Sequence, residues 1–493
     1  MSYETTDTGL LVPRSISAYA SLAKSSQVAS WRPWGGDSDD PIVFSHSQLR
    51  DQSRDLERND SIATGAICNV VSAVVAEGLS PHSSIDPEAL GISPEEAKSF
   101  EKKSDYLFKM ISAEEDTDFT RSLNFSGLLE LAFRSVLIDG DSFLVKRYVE
   151  RPTSLVGTCL QLIDGARVKS PPELEFKDNC RAGIEYSKSG EPVAFHVSST
   201  DANGVERFTR IPYFDKNGRR QAKHLIHRKY ASQTRGVPYL TPVIEKLKQL
   251  NKYTEAEITA AVVSGMLTIF VKNKGINPMR GRAKDDTGER SHVDLKSGAM
   301  VDLFPGEEVE SVNPGRPNSE FDNFVTAILK QIAIGLELPF EVLTKYYQSS
   351  YTAARAAICD AWSFYRVKRR WIIQMICEPY REWLTDELVS RNLLSAPGYF
   401  DDLFVKKAWL ACEWSGAPMT VIDPLKEAKA ATERIMVNHT DSRTDECKRN
   451  GRDFDRIAKN LAAEDELIPK TKETSKDDKD TEGDSGDELG DNE

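Results

Sequence analysis

From Ser47 to Gly78 apolar residues recur at steps of three and four: Leu49, Leu56, Ile62, Ile67, Val70, Val71 and Val74. That period predicts a helix, with Gly78 as its stop signal. The same spacing predicts helices over about Pro94–Ile111 and Phe125–Ile138, the second with Leu128, Leu129, Leu131, Ala132 and Val136 facing inward. The period then changes. Ser142–Tyr148, Cys159–Ile163, Gly183–Tyr186, Val193–Val197, Thr209–Tyr213 and Leu225–His227 are short runs bounded by turn residues, among them Asp139-Gly140-Asp141, Lys188-Ser189-Gly190-Glu191 and Lys216-Asn217-Gly218. Helices followed by an antiparallel β module predict an α+β fold class.

Helical spacing returns at Thr241-Pro242, where Thr suits an N-cap and Pro the first turn, and it runs to Ser264–Gly265. Met266–Lys272, a Gly/Arg/Lys-rich loop over Asn273–Arg290 and a strand-like Gly298–Phe304 follow. Ser319-Glu320-Phe321-Asp322 resembles a capping box with Asp in the acceptor position. The helix it opens has the clearest amphipathic face of the chain, Phe321, Phe324, Val325, Ile328, Leu329, Ile332 and Leu336, and Pro339 ends it. The polar segment Lys345–Tyr351 precedes the longest predicted helix, Thr352–Val389, which Pro379 should kink. Further helices are expected at Pro424–Met436 and near Thr444–Leu461.

Composition sets limits on function. Among 493 residues, 64 Lys and Arg stand against 77 Asp and Glu, a net charge of −13. That disfavours a simple basic nucleic-acid binder. Residues 470–493 hold ten of the acids and four lysines, or −6, so the other 469 residues carry only −7. This acidic tail lacks aromatics and is expected to be disordered. Seven cysteines without a C-x-x-C pair predict reduced thiols in a cytoplasmic compartment. Met1–Pro13 shows no signal-peptide pattern, and the longest apolar run, Ile258–Val271, is too short to span a bilayer. Trp31 and Trp34, in an irregular N-terminal arm, are expected to dock on the chain's own surface or on a neighbouring subunit.

Signatures of catalysis are mostly missing. There is no phosphate loop, no G-x-G-x-x-G, no nucleophile elbow and no H-E-x-x-H. His224 and His227 could present two imidazoles, but no Cys or carboxylate set of ligand spacing accompanies them, so no metal or other cofactor is expected. Asp139-Gly140-Asp141 reads as a turn in preference to a Mg²⁺ site. Two features suit nucleic acid. Arg366, Lys368, Arg369 and Arg370 form a basic cluster on the long helix, unless they are a solvated or salt-bridged face. Lys345, Tyr346, Tyr347, Gln348, Ser349 and Ser350 offer one cation, two aromatics and neutral donors, a set that can meet a phosphate backbone without reading sequence, although taken alone the segment reads first as a plain helix–helix connection.

Several motifs occur in an order known from one family. Arg54-Asp55-Leu56-Glu57-Arg58-Asn59 resembles the R-D-L-x-R-N start of the lambda-like portal proteins of tailed bacteriophages. Gly183-Ile184-Glu185, with Gly190-Glu191-Pro192-Val193-Ala194-Phe195-His196-Val197, resembles that family's G-I-E and G-x-P-x-A-Y-x-V hairpin. Gln233-Thr234-Arg235-Gly236-Val237-Pro238 resembles its Q-x-R-G-V-P. Ile332–Glu341 and Ser350–Ala357 resemble I-A-x-G-L-x-[LV]-P-Y-E and S-Y-S-S-A-R-A-A, with Phe340 in place of Tyr and Thr352-Ala353 in place of Ser-Ser.

The resemblance implies a non-enzymatic homo-oligomer, a dodecameric ring at one capsid vertex around a channel for double-stranded DNA. It implies docking of the terminase large subunit, then of head-completion (adaptor) and tail proteins, beside major capsid and scaffold proteins, with no membrane. It divides the chain into an N-terminal arm (1–45), an α+β wing (46–240), a first stem helix (241–265), a clip (266–318), a second stem helix (319–343), a channel loop (344–351), a kinked channel helix with wing return (352–414), a crown (415–468) and the acidic tail (469–493). Lys345–Ser350 then fall at the channel constriction. Lys272, Lys274, Arg280, Arg282 and Lys284 of the clip either meet an acidic surface of terminase or adaptor or form a solvated loop. A virion scaffold without a channel, and less so a metal-dependent DNA enzyme, are the rival expectations.

Overall fold

The computed structural model describes residues 3–5, 11–13, 37–174, 179–265, 269–273, 307–311, 320–347, 350–419, 423–452 and 454–467. Within these, helices and antiparallel sheets alternate as expected for the α+β class. The N-terminal tryptophans, the clip cations Lys274, Arg280, Arg282 and Lys284, channel-loop residues Gln348 and Ser349, and the acidic tail lie outside the described residues.

The first predicted helix is two. Helix α1 (Asp40–Asn59) ends at Asp60, which turns extended and caps α2 (Ser61–Val74) by accepting from the backbone N–H of Ile62 and Ala63. The apolar period runs through this break, so the period alone does not reveal it. Helix α2 buries Ala63, Ala66, Ile67, Val70, Val71 and Val74, which makes it the central rod of the larger core. The chain leaves it through Gly78 at φ 114°, pressed against Ser126. Strand β1 (Ser80–Ser83), a turn of helix at Pro87–Leu90 and helix α3 (Pro94–Ala113) follow. Ser93 and Glu96 form a reciprocal capping box on α3. Helix α4 (Phe125–Asp139) starts at Asn124, which accepts from Gly127 N–H. Leu131, expected inside, is 43% exposed.

Strand β2 (Asp141–Tyr148) is the middle of a three-stranded sheet, between β3 (Thr158–Asp164) and the later edge strand Ala222–Ile226. Four strands, β4 (Cys180–Arg181), β5 (Ile184–Tyr186), β6 (Pro192–Thr200) and β7 (Glu206–Pro212), make an antiparallel meander, and Ala222–Ile226 becomes β8. Alternation on β2 separates two cores. Leu144 points into the helical core, whereas Phe143 and Val145 point into a second core with Ile163, Phe195 and Tyr213, between the two sheets.

Helix α5 (Ile244–Gly265) is entered through a 3₁₀ turn at Thr241–Val243. Thr241 therefore does not cap it; its buried hydroxyl has no partner among the described residues. Strand β9 (Ile269–Asn273) pairs antiparallel with β10 (Glu307–Ser311); the strand-like Gly298–Phe304 lies outside the described residues. Helix α6 (Phe321–Gly335) begins at Glu320, whose side chain does not cap it; Ser319, the expected cap, lies outside the described residues. It packs on α5, with Tyr253 stacked on Phe321 at 5.7 Å and edge-on to Phe324 at 4.7 Å.

The helix expected over 319–343 stops at Gly335. Glu337 takes φ 55°, and Phe340–Thr344 form a separate short helix, α7. Helix α8 (Tyr351–Ile372) then runs into a π-turn at Ile373–Cys377 and on as α9 (Glu378–Ser390). The irregularity therefore precedes Pro379. A wider turn moves the upstream carbonyls off the pyrrolidine ring, which relieves the clash that a regular helix would impose. The chain closes on itself after helix α10 (Leu403–Trp409), where β11 (Cys412–Ser415) pairs with β1. Helix α11 (Pro424–Thr432) ends in a π-turn at Glu433–Val437, and the last predicted helix is broken into α12 (Arg443–Arg449) and α13 (Phe454–Leu467).

Candidate functional site

Two groups of residues stand out, one buried and one exposed. The buried group lies where α4 meets β2. Arg235 donates from Nε and Nη2 to the two carboxylate oxygens of Asp141 at 2.7 and 2.9 Å. Its remaining N–H groups reach the carbonyls of Val168, Ala182 and Gly165. Asp141 also accepts from Gly236 N–H at 2.8 Å and pairs with His224 Nε2 at 3.1 Å. Burial alone would raise the Asp141 carboxyl, but the Arg235 guanidinium holds it well below the usual carboxylate range.

A second arginine repeats the motif nearby. Arg54 grips Asp139 bidentately at 2.6 and 2.7 Å and reaches Asp164 at 2.9 Å. Gln233 accepts from Lys229 N–H and donates to the Arg235 carbonyl, and Asp39 accepts from Thr234 N–H. Arg54, the Gln233–Pro238 segment and the Asp139-Gly140-Asp141 turn are therefore internal clasps. They join the first helix, the sheet and the entry to α5. The turn reading of Asp139–Asp141 holds, but both carboxylates also anchor arginines more than eighty residues away in sequence. His224 and His227 do not converge: His224 stacks on Phe143 at 4.3 Å, whereas His227 stacks on Trp371 at 4.5 Å.

Two imidazoles, that of His46 on α1 and that of His227, set a pH dependence. Burial, and then the charge of Arg235, push His46 down to about 4. Burial, with Lys368 and Lys229 nearby, pushes His227 down to about 4. Each folded value lies below the unfolded value near 6.5, so the unfolded chain takes up protons first as pH falls. Stability is present above pH 6.5 and is lost between 6.5 and 4, by about 2 kcal/mol per imidazole at pH 5. Urea unfolding should show a lower midpoint at pH 5 than at pH 7, with a smaller difference in His46→Gln; equal midpoints in the wild type would contradict this.

The exposed group is the Lys345–Ser350 segment, expected from sequence at the channel constriction. Its base is fixed: Val342 and Leu343 of α7 are buried, and Asn69 of α2 donates to the Val342 carbonyl at 2.8 Å. Lys345 then takes φ 55°, a left-handed turn that throws the chain outward. Lys345, Tyr346 and Tyr347 are all exposed, the two tyrosines by 54% and 48%. Ser350 brings the chain back by capping α8 at Ala353 N–H. The outcome is a short tip bearing one cation and two phenol rings on a buried base.

The basic cluster on α8 is not one patch. Arg369 is half-buried and donates to the carbonyls of Val74, Ala73 and Ala417 at 3.0, 2.9 and 2.9 Å, closing the C-terminal end of α2. Its guanidinium also lies over Trp362. Lys368 lies over the Phe364 ring at 5.0 Å, and burial pushes its ammonium below the ordinary lysine range. Only Arg366 and Arg370 remain exposed. The internal contacts of Arg369 were missed from sequence because its partners are backbone carbonyls on another helix. Lys272 stands opposite Glu308 in the β9–β10 ladder.

The geometry comprises buried ion pairs that tie distant segments together and an exposed tip on a buried base. Residues 24–369 match the phage portal proteins of the lambda family, and the chain belongs to that family. Its members are structural, non-enzymatic components of the virion. Portal protein B of Escherichia phage lambda is 24% identical over 458 residues, which is 87% of this chain and 86% of the relative. The portal protein of Escherichia phage N15 is 23% identical over the same shares. Among solved structures, the virion of a native gene transfer agent particle gives a TM-score of 0.46 at 13% identity, covering 86% of this chain and 96% of the other. The neck of that particle also gives 0.46, at 12% identity, covering 83% and 92%.

Proposed function

We propose that this chain is the subunit of a dodecameric portal ring at one capsid vertex. Terminase drives double-stranded DNA in through the ring, and the DNA later leaves by the same path. The terminase large subunit docks first, then head-completion, adaptor and tail proteins, while major capsid and scaffold proteins surround the ring. Helices α5 and α6 form the stem, the β9–β10 ladder begins the clip, α8 with its π-turn and α9 runs from channel to wing, and the helices after residue 415 form the crown.

The observation that carries this reading is the exposed Lys345–Tyr347 tip on its anchored base. In a closed ring a single lysine per subunit becomes a ring of charge. Each neutralised phosphate adds affinity through counter-ion release, so a lumen rich in cations would hold DNA back. One lysine beside two tyrosines touches the duplex without gripping it, and contact with phosphates carries no sequence information. Replacing both Tyr346 and Tyr347 by glycine should cut the DNA retained per capsid by about tenfold, equivalent to roughly 1.4 kcal/mol on one limiting step. Unchanged packaging and retention by rings of normal size would overturn the assignment of this loop.

A further inference from the structure

A second feature, remote from the loop, is not accounted for by the portal reading. Where the edge strand β8 meets the π-turn, α9 and α10, a cavity of about 430 Å³ opens. Four cations line it, Arg220, Lys223, Arg381 and Lys407, against two carboxylates, Glu378 and Glu382. Glu382 is already engaged by Lys406 at 2.8 Å and by Lys407 at 3.7 Å. Arg220 and Lys223 have no ion pair among the described residues; the Arg220 guanidinium lies only over the Phe214 ring, at 4.5 Å. Arg381 is 4% exposed, and while its Nη2 donates to Ser83 Oγ, its buried Nη1 has no partner.

Buried donors and half-buried cations without partners are costly, because each has lost water and gained nothing in return. Burial and the neighbouring Arg220 charge push the Lys223 ammonium below its ordinary range, as expected where no counter-ion is seated. A planar guanidinium fork beside a point-like ammonium is the combination that holds a phosphate group.

The polar cavity is not alone. A second one, of about 460 Å³, shares Arg220 and Lys223 as its wall and is lined by Tyr186, Tyr213, Phe214 and Met375. The Tyr213 hydroxyl, on a residue 3% exposed, also has no partner. The pair of cavities thus offers a cationic half and an aromatic half with an unused hydroxyl. Both volumes fall within the range of about 300–1,000 Å³ typical of small-molecule sites.

We propose that these two adjoining cavities bind a nucleoside monophosphate, with its phosphate between Arg220, Lys223 and Arg381 and its base against the tyrosine-lined side. This site is independent of the channel loop, and its failure would leave the portal reading untouched.

Isothermal titration of the full-length protein with AMP tests the proposal. Saturable binding is expected, weakened at least tenfold in Lys223→Gln and in Arg220→Gln, with inorganic phosphate competing at lower affinity. Lys407→Gln, at a side chain 61% exposed, is the check that does not disturb the core, and it should weaken AMP as well. Absence of saturable binding at millimolar AMP, wild-type affinity in all three variants, or inorganic phosphate binding as tightly as AMP would each overturn it. Competition by a short DNA duplex as effective as AMP would also overturn it, since a duplex cannot enter cavities of this size.

Discussion

Asp141→Ala should lower the folding stability of the chain by about 3–5 kcal/mol, the range seen when one partner of a buried ion pair is removed. The carboxylate is fully buried and satisfies Arg235, His224 and Gly236 at once. Without it the Arg235 guanidinium, 3% exposed, is left charged in the interior. The three carbonyls that Arg235 also bonds hold it in place, so it cannot swing out to water. Urea unfolding of the purified protein measures the loss. Asp51→Ala, at a carboxylate 66% exposed, should change stability by no more than about 0.5 kcal/mol. A loss below about 1 kcal/mol for Asp141→Ala would show that the clasp does not hold the wing together.

Gly236→Ala should be comparably severe for a steric reason. A Cβ there would overlap the Gly140 carbonyl and come within 2.8 Å of Asp141 N. All of these are backbone atoms at the start of β2, so no side chain can rotate away. The strand itself must shift, and it carries Asp141. We expect a loss of roughly 3 kcal/mol or more, read as a lower thermal midpoint. Gly190→Ala is the contrasting case. Gly190 has φ 83° but open space around it, so only the left-handed conformation is penalised, by about 1–2 kcal/mol. Equal effects at the two sites would contradict the steric account.

Much of the fold was legible from the chain. Short runs between turn residues located every strand of the two sheets except Cys180–Arg181, which is two residues long, and helical patterns located α3, α4, α5 and α8. What was missed depends on contacts the period cannot encode. Asp60 breaks α1 from α2 within an unbroken apolar rhythm, since a single cap residue outweighs the pattern. The π-turn before Pro379 is a local relief of a clash that sequence reading placed at the proline itself. Strands β1 and β11 pair across more than three hundred residues and are short and half-polar, so neither has a strong pattern of its own.

The candidate site divides in the same way. The segments around Arg54 and Arg235 are internal clasps, in which each arginine grips a carboxylate bidentately, a geometry few other side chains reproduce. The exposed Lys345–Tyr347 tip lacks such a signature. Its exposure follows from the short helix α7 and the left-handed turn at Lys345, neither of which the sequence announced. The net charge of −13 is compatible with contact to DNA, because the tip needs only one cation per subunit.

Electron microscopy of the purified full-length protein tests the central claim most directly. The account predicts closed rings of about twelve copies with a central hole of duplex width. Monomers, small open oligomers or discs without a hole would contradict it.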